Sequence, residues 1–248
     1  MLAIFKKELR SYFINPIGYI YVGIFLAVSA LLCCLSTLLA SSYDVTGYFA
    51  YMMYAFVILI PLLTMRLFAE ERKLRTEQLL LTAPVTITGM VLGKFLAALT
   101  LFASTLLVSC INFIPLYVIA DTEKAANDTL STHIGPVTGE LVGCLVSLLL
   151  LGAAFIAIGT FISALTENQL AAAVITIAVI AGMIGISLVN NFIQVYWIRT
   201  IVSWVSVYAR FGNFTNGLFD FAALFYYLSI CFVFIFLTVR VYEKRRWG

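Results

Sequence analysis

The residues of this chain best equipped for chemistry are crowded between Arg66 and Glu77. Arg66, Glu70, Glu71, Arg72, Lys73, Arg75 and Glu77 put both signs of charge on one short stretch. Glu70 and Lys73 are three residues apart and Glu71 and Arg75 four, so a helix here sets acid beside base, with the acid on the favourable N-terminal side. Leu74, Leu79, Leu80 and Leu81 add apolar surface. Thr82-Ala83-Pro84 then ends the helix, because proline disfavours helical backbone at the residue before it. A short charged helix that also carries leucines suits docking on a soluble partner; the competing reading is a solvated hairpin.

Other chemistries lack their parts. A phosphate-cradling G-x-x-x-x-G-K-[ST] loop is missing: Gly93-Lys94 is followed by Phe95, and Thr88 stands where the first glycine belongs. If ATP drives this protein, a separate subunit binds it. The five cysteines, Cys33, Cys34, Cys110, Cys144 and Cys231, show no metal-ligand spacing and read as small apolar packing residues. Glu70-Glu71 with Arg75 resembles the E-E-x-x-x-R pattern of intramembrane CAAX-type proteases. That resemblance implies histidines in neighbouring spans, yet the single histidine, His133, falls in a polar loop expected on the opposite face. No catalytic, cofactor or metal residue is therefore expected on this chain.

The elements that must carry the charged stretch are set by hydropathy. Six runs of at least 19 residues contain no charge: Ser11–Tyr43, Val45–Met65, Phe95–Ala120, Leu141–Thr166, Asn168–Ile198 and Phe221–Val239. About 20 apolar residues let a helix cross a bilayer, and hydrocarbon forces a crossing to be helical unless it belongs to a closed barrel. The runs lack the short alternating pattern of a barrel. The expected fold is an all-α membrane protein with six transmembrane helices, at about 17–41, 46–66, 90–119, 140–164, 169–190 and 218–240. Span interiors are expected to be free of charge, with Lys94 snorkelling back to the interface. Intramembrane charge is the usual mark of ion-coupled transport, so that class is disfavoured.

Placing the N-terminus inside puts Lys6, Lys7, Arg10, Arg66, Arg72, Lys73, Arg75, Lys94, Arg240, Lys244, Arg245 and Arg246 on the cytoplasmic side, 12 of the 15 basic residues. The outer side keeps Lys124, Arg199 and Arg210. The positive-inside rule counts Lys and Arg alone, so both termini are expected in the cytoplasm. Residues 1–16 read as an interfacial helix, with Leu2, Phe5, Leu9, Tyr12 and Phe13 on an apolar face and Lys6, Lys7 and Arg10 near anionic headgroups.

Span five carries two small-xxx-small pairs, Ala178 with Gly182 and Ala181 with Gly185, that let helix backbones approach closely. Spacing leaves open whether that face meets another span or a second subunit. The 191–217 segment is an outer amphipathic helix by spacing: Ile193, Trp197, Ile201, Trp204 and Tyr208 share one face, Arg199, Ser203, Ser206 and Arg210 the other.

Leu63-Thr-Met-Arg-Leu-Phe-Ala-Glu-Glu-Arg-Lys73, Thr76-Glu-Gln-Leu-Leu-Leu-Thr-Ala-Pro84 and Val91-Leu-Gly-Lys-Phe95 resemble the permease subunits of ABC-2-type exporters, closest to the gliding-motility type. Phe5-Lys-Lys-Glu-Leu-Arg-Ser-Tyr-Phe13 ahead of Asn15-Pro16 fits as well. The resemblance implies one ABC-2-type transmembrane domain over 1–248, with residues 66–84 as the coupling helix on a separate ATP-binding subunit that would hold ATP and Mg. Arg66, Glu70, Glu71, Arg72, Lys73, Arg75, Glu77, Leu79 and Leu80 would form that contact, with Glu167 in the 164–169 turn as a second one.

The same resemblance implies a bacterial cytoplasmic membrane and a second permease, copy or paralogue, with spans one, two and five facing the route. Tyr19, Met52, Met53, Phe56 and Asn190 are candidate route-lining residues, suited to an amphipathic or lipid-like cargo. Membrane lipid and an outer-face accessory protein are further expected partners; nucleic acid is not. The alternative function is a non-transporting membrane anchor or sensor subunit.

Overall fold

A computed structural model describes residues 1–39, 43–76, 86–126, 135–189, 197, 207, 210–212 and 220–247; these form helices and short connections, with no strand among them. Helix α1 (Leu2–Ile14) ends where Asn15 turns extended, and Pro16, whose missing N–H costs nothing in a first turn, opens α2 (Pro16–Cys33). One π turn, Cys34–Leu38, prolongs α2. There follow α3 (Thr46–Thr64), a short α4 (Ala69–Lys73), α5 (Ile87–Ser109), a 3₁₀ turn (Cys110–Phe113) and α6 (Ile114–Ala126). Helices α7 (Thr138–Leu165), α8 (Gln169–Val189) and α9 (Phe221–Trp247) complete the described chain.

Six helical stretches are long and apolar enough to cross a bilayer: Pro16–Leu38, Thr46–Lys73, Ile87–Glu123, Thr138–Leu165, Gln169–Ser187 and Phe221–Arg246. At 1.5 Å per residue the shortest still spans about 28 Å, close to the thickness of the hydrocarbon core. The chain is a multi-pass helical membrane protein. Of the 191–217 segment only Trp197, Val207 and Arg210–Gly212 are described, where Val207 is buried and its carbonyl accepts from Tyr227 Oη at 3.1 Å. The rest of that segment, His133 and Asn190 lie outside the described residues.

Spans two, three and four form the centre of the bundle, with 61, 56 and 61% of their apolar windows buried, against 28% for each of spans one, five and six. Helices in lipid gain little from burying apolar surface and depend on close packing instead. Two glycines of α7 supply it. A Cβ at Gly159 would lie 2.3 Å from Thr64 Oγ1 on α3, and one at Gly152 would lie 2.3 Å from the Phe102 ring on α5. Phe25, Phe56 and Phe102 join α2, α3 and α5, with ring centroids 5.2 to 6.3 Å apart. Nearer the opposite end, Asn112 Nδ2 donates to Ser29 Oγ at 2.8 Å, and Ser29 Oγ lies 2.8 Å from Tyr48 Oη. Buried polar atoms in hydrocarbon need such partners.

Met52, Met53 and Phe56 are fully buried in the chain's own core, while Tyr19 is 61% exposed. An aromatic and Met-rich span packs a core or lines a route with the same residue types, so composition could not separate the two. Among the described residues the small face of span five meets no other span: Ala178, Ala181 and Gly182 are exposed, and a Cβ at Gly182 or Gly185 would meet nothing within 4 Å.

Candidate functional site

The charged stretch sits at the end of the bundle that holds both chain termini, and it is tied to that bundle at four places. The first is Lys94. It does not snorkel: it is 1% exposed, and its ammonium lies 2.8 Å from Glu71 Oε1 and 3.2 Å from Glu8 Oε1 and donates to the Leu67 carbonyl at 2.7 Å. The Phe68 ring covers it, 5.1 Å from Nζ to centroid. Span three thus carries a buried charge after all. Burying an ammonium is costly unless it is paired and hydrogen-bonded, and α1, α4 and the 65–68 connection together supply those partners. Lys7, mostly exposed, approaches Glu8 and Glu71 from the solvent side at 3.8 Å each.

Glu8 reaches Lys94 because α1 has three faces rather than two. Ile4 and Glu8, four residues apart, turn into the bundle, while Leu2 and Phe13 point outward, 74 and 47% exposed, and Lys6, Lys7 and Arg10 form an exposed basic side. Glycine permits the close seat of this helix: a Cβ at Gly93 would lie 3.2 Å from Ile4. Burial, and after it the Glu8 carboxylate, pushes the Tyr12 phenol up from its ordinary pKa, so this ring stays neutral beside the charges.

The second tie is a cap supplied in trans. Phe68, the N-cap of α4, makes no side-chain cap of its own. Ser163 Oγ on α7 instead accepts from Phe68 N and Ala69 N, both at 3.2 Å, and donates to the Met65 carbonyl at 3.3 Å. One hydroxyl satisfies two of the amides that a helix start leaves open. The third tie satisfies the end of α7: Arg72 Nη1 donates to the Leu165 carbonyl at 3.1 Å while Nη2 pairs with Glu167 at 2.7 Å. The fourth comes from α9, whose Arg245 donates to the Ala164 carbonyl at 2.6 Å, and whose Tyr242 ring packs 5.0 Å from Phe68.

The ion pairs differ from those that spacing suggested. Glu70 pairs with Arg66 at 2.5 Å rather than with Lys73, and Glu71 pairs with Lys94 rather than with Arg75. The described helix is also shorter than a continuous 66–84 element. It stops after Lys73, where Thr76 N donates to the Glu71 carbonyl and Arg75 N to the Arg72 carbonyl, with Arg75 left-handed at φ 57°. That is a Schellman C-cap, with arginine where glycine is the usual residue. Helical spacing rules do not hold through such a turn, so Glu71 and Arg75 part company. Glu77, Leu79 and Leu80 lie outside the described residues.

Among the described residues of this stretch Lys73, Leu74, Arg75 and Thr76 turn outward and are all exposed, Leu74 at 63%. Between this ridge and α1 runs a groove of about 380 Å³, lined by Lys7, Glu8, Ser11, Arg66, Glu70 and Leu74 among others. No cluster of His, Cys, Asp and Glu among the described residues could hold a metal. Glu8, Lys94, Ser163 and Arg245 are the contributors that sequence reasoning missed.

A family model described as ABC-2 family transporter protein matches residues 36–241. No curated protein matches the chain.

Proposed function

The chain belongs to the ABC-2 transporter family, as a membrane permease subunit of an ABC transporter, and from that premise we propose that it is the membrane half of an ATP-driven exporter in the bacterial cytoplasmic membrane. Members of this family work with an ATP-binding subunit and are not themselves catalytic. The 66–76 segment is the docking point for that subunit, which carries ATP and Mg. One observation supports this reading most: α4 is held by α1, α5, α7 and α9, yet turns Lys73, Leu74, Arg75 and Thr76 outward. A displacement imposed on that ridge passes to α1 and span three through Glu71, Lys94 and Glu8, to α7 through Ser163, and to α9 through Phe68 and Tyr242. A solvated hairpin would need none of these ties.

A second permease copy completes the route, meeting this one along the lightly buried spans one and five, where Ala178, Ala181, Gly182 and Gly185 offer an open face. The gliding-motility subtype rests on the sequence resemblance of residues 63–95. The deciding experiment co-expresses the chain with candidate ATP-binding subunits, isolates the complex and follows ATP hydrolysis in proteoliposomes as candidate cargo is added. Hydrolysis that rises with cargo is expected. A stable complex whose hydrolysis never responds to any cargo would favour the anchor or sensor function. Orientation is checked in sealed cells: Asn127→Cys and Asn213→Cys should react with an impermeant thiol reagent, and Arg75→Cys should not.

A further inference from the structure

We infer that a groove between spans three and six binds an anionic phospholipid of the cytoplasmic leaflet, selecting it over zwitterionic lipid; the inference rests on the cytoplasmic assignment of the end that holds the termini. The groove encloses about 530 Å³ and is walled by Leu92 on α5 and by Phe232, Ile235, Phe236 and Val239 on α9. It opens outward, with Phe232 73% and Phe236 46% exposed, so its occupant comes from the bilayer. Phe232 and Phe236 stack nearly parallel, 14° apart, and form one smooth wall. From Phe232 to Arg240 the wall runs about 12 Å along the helix axis, a path for the upper part of an acyl chain.

Charge decides which headgroup ends that path. Arg240 lines the mouth of the groove, its guanidinium fixed 4.9 Å over the Phe236 ring and paired through Nη1 with Glu243 at 2.7 Å. A guanidinium carries five N–H donors in a fork that matches phosphate, so the pair with Glu243 orients the group and leaves donors for a headgroup. Glu243 offsets one charge, and Lys244, exposed one turn beyond Arg240 on the same side of α9, adds a cation just past the lining. Thr88, in the first turn of α5, completes the rim, and a helix start favours negative charge. Basic pockets between transmembrane helices on the cytoplasmic side hold acidic headgroups by this combination.

The test uses full-length protein in nanodiscs containing equal dioleoyl phosphatidylglycerol and dioleoyl phosphatidylcholine, with retained lipid counted by native mass spectrometry after release into detergent. Wild type should retain phosphatidylglycerol with a preference of about fivefold, the worth of one cation near an anionic surface. Arg240→Gln, at an exposed position, should bring the two lipids to parity. Leu92→Trp keeps the charge but fills the wall, and should lower retention of both. An undiminished phosphatidylglycerol preference in Arg240→Gln, or unchanged retention in Leu92→Trp, overturns the site. Proteoliposomes with phosphatidylglycerol confined to one leaflet separate this from the topology. Retention that depends on Arg240 but follows the outer leaflet would keep the groove and overturn the orientation on which the leaflet assignment rests.

Discussion

Glu71 Oε1 lies 2.8 Å from Lys94 Nζ, joining the charged segment outside span two to a lysine buried inside span three. The pair changes what the charged segment is. Glu71 is an internal counter-ion, and Glu8 of α1 shares the task at 3.2 Å. Surface ion pairs contribute little to stability, whereas a buried charge stripped of one partner is strongly destabilising because the other is left uncompensated.

Lys94→Met should therefore destabilise the protein by about 3–5 kcal/mol, because Glu8 and Glu71 would share a buried site with Lys7 alone to offset them. Combining Lys94→Met with Glu8→Gln and Glu71→Gln should recover much of that loss, since no charge is then stranded. Thermal unfolding in a fixed detergent reads both. A single mutant as stable as wild type would mean the ammonium is not held by these carboxylates.

Ser163→Ala removes the hydroxyl that accepts from Phe68 N and Ala69 N. Loss of a helix N-cap costs about 1 kcal/mol, and the buried amides have no water to turn to. Backbone amide exchange should accelerate at Phe68 and Ala69 while the core of α7 stays protected. Equal protection in the variant would assign those amides to another acceptor.

Two glycines separate packing within the chain from packing between chains. Gly159→Leu drives a side chain into Thr64 and should unfold or misassemble the monomer, since overpacking costs about 1–3 kcal/mol or more. Gly182→Leu meets open space and should leave the monomer's stability unchanged while weakening association of two permeases. Both quantities can be read from one preparation by unfolding and by single-molecule photobleaching counts. If Gly182→Leu leaves association intact, that face looks at lipid.

The six spans were legible because a charge-free run of span length has few other uses in a folded protein. Lys94 was misread because a lysine near the end of such a run can reach outward or inward, and hydropathy is the same for both. The signal that could have settled it is Glu8, the one acid among the first 43 residues, four positions from Ile4 and thus on a face distinct from the basic residues. Ser163 left no trace: one hydroxyl among alanines and isoleucines near a span end carries no spacing information, and its role exists only where α7 meets α4. Helical pairing of Glu71 with Arg75 failed for a local reason, the left-handed turn at Arg75.

Energy coupling must be tested away from the node at Lys94. Glu71→Lys would set three cations together at Lys7, Lys94 and residue 71, so a lost partner interaction could merely reflect a broken node. Glu70 is likewise occupied by Arg66 at 2.5 Å. Lys73 and Arg75 are exposed, and reversing both to Glu inverts the outward charge while leaving Lys94, Ser163 and Arg72 in place. Thermal stability of Lys73→Glu/Arg75→Glu should match wild type within about 0.5 kcal/mol, the range of surface substitutions. Binding of the ATP-binding subunit should slow and reverse its salt dependence if these charges lie on the rim of the interface, or fall by about 2–5 kcal/mol if the partner buries them. Association is followed at low and high salt beside cargo-stimulated ATP hydrolysis. Wild-type binding at both salts, with full stimulated hydrolysis, would show that this ridge does not dock.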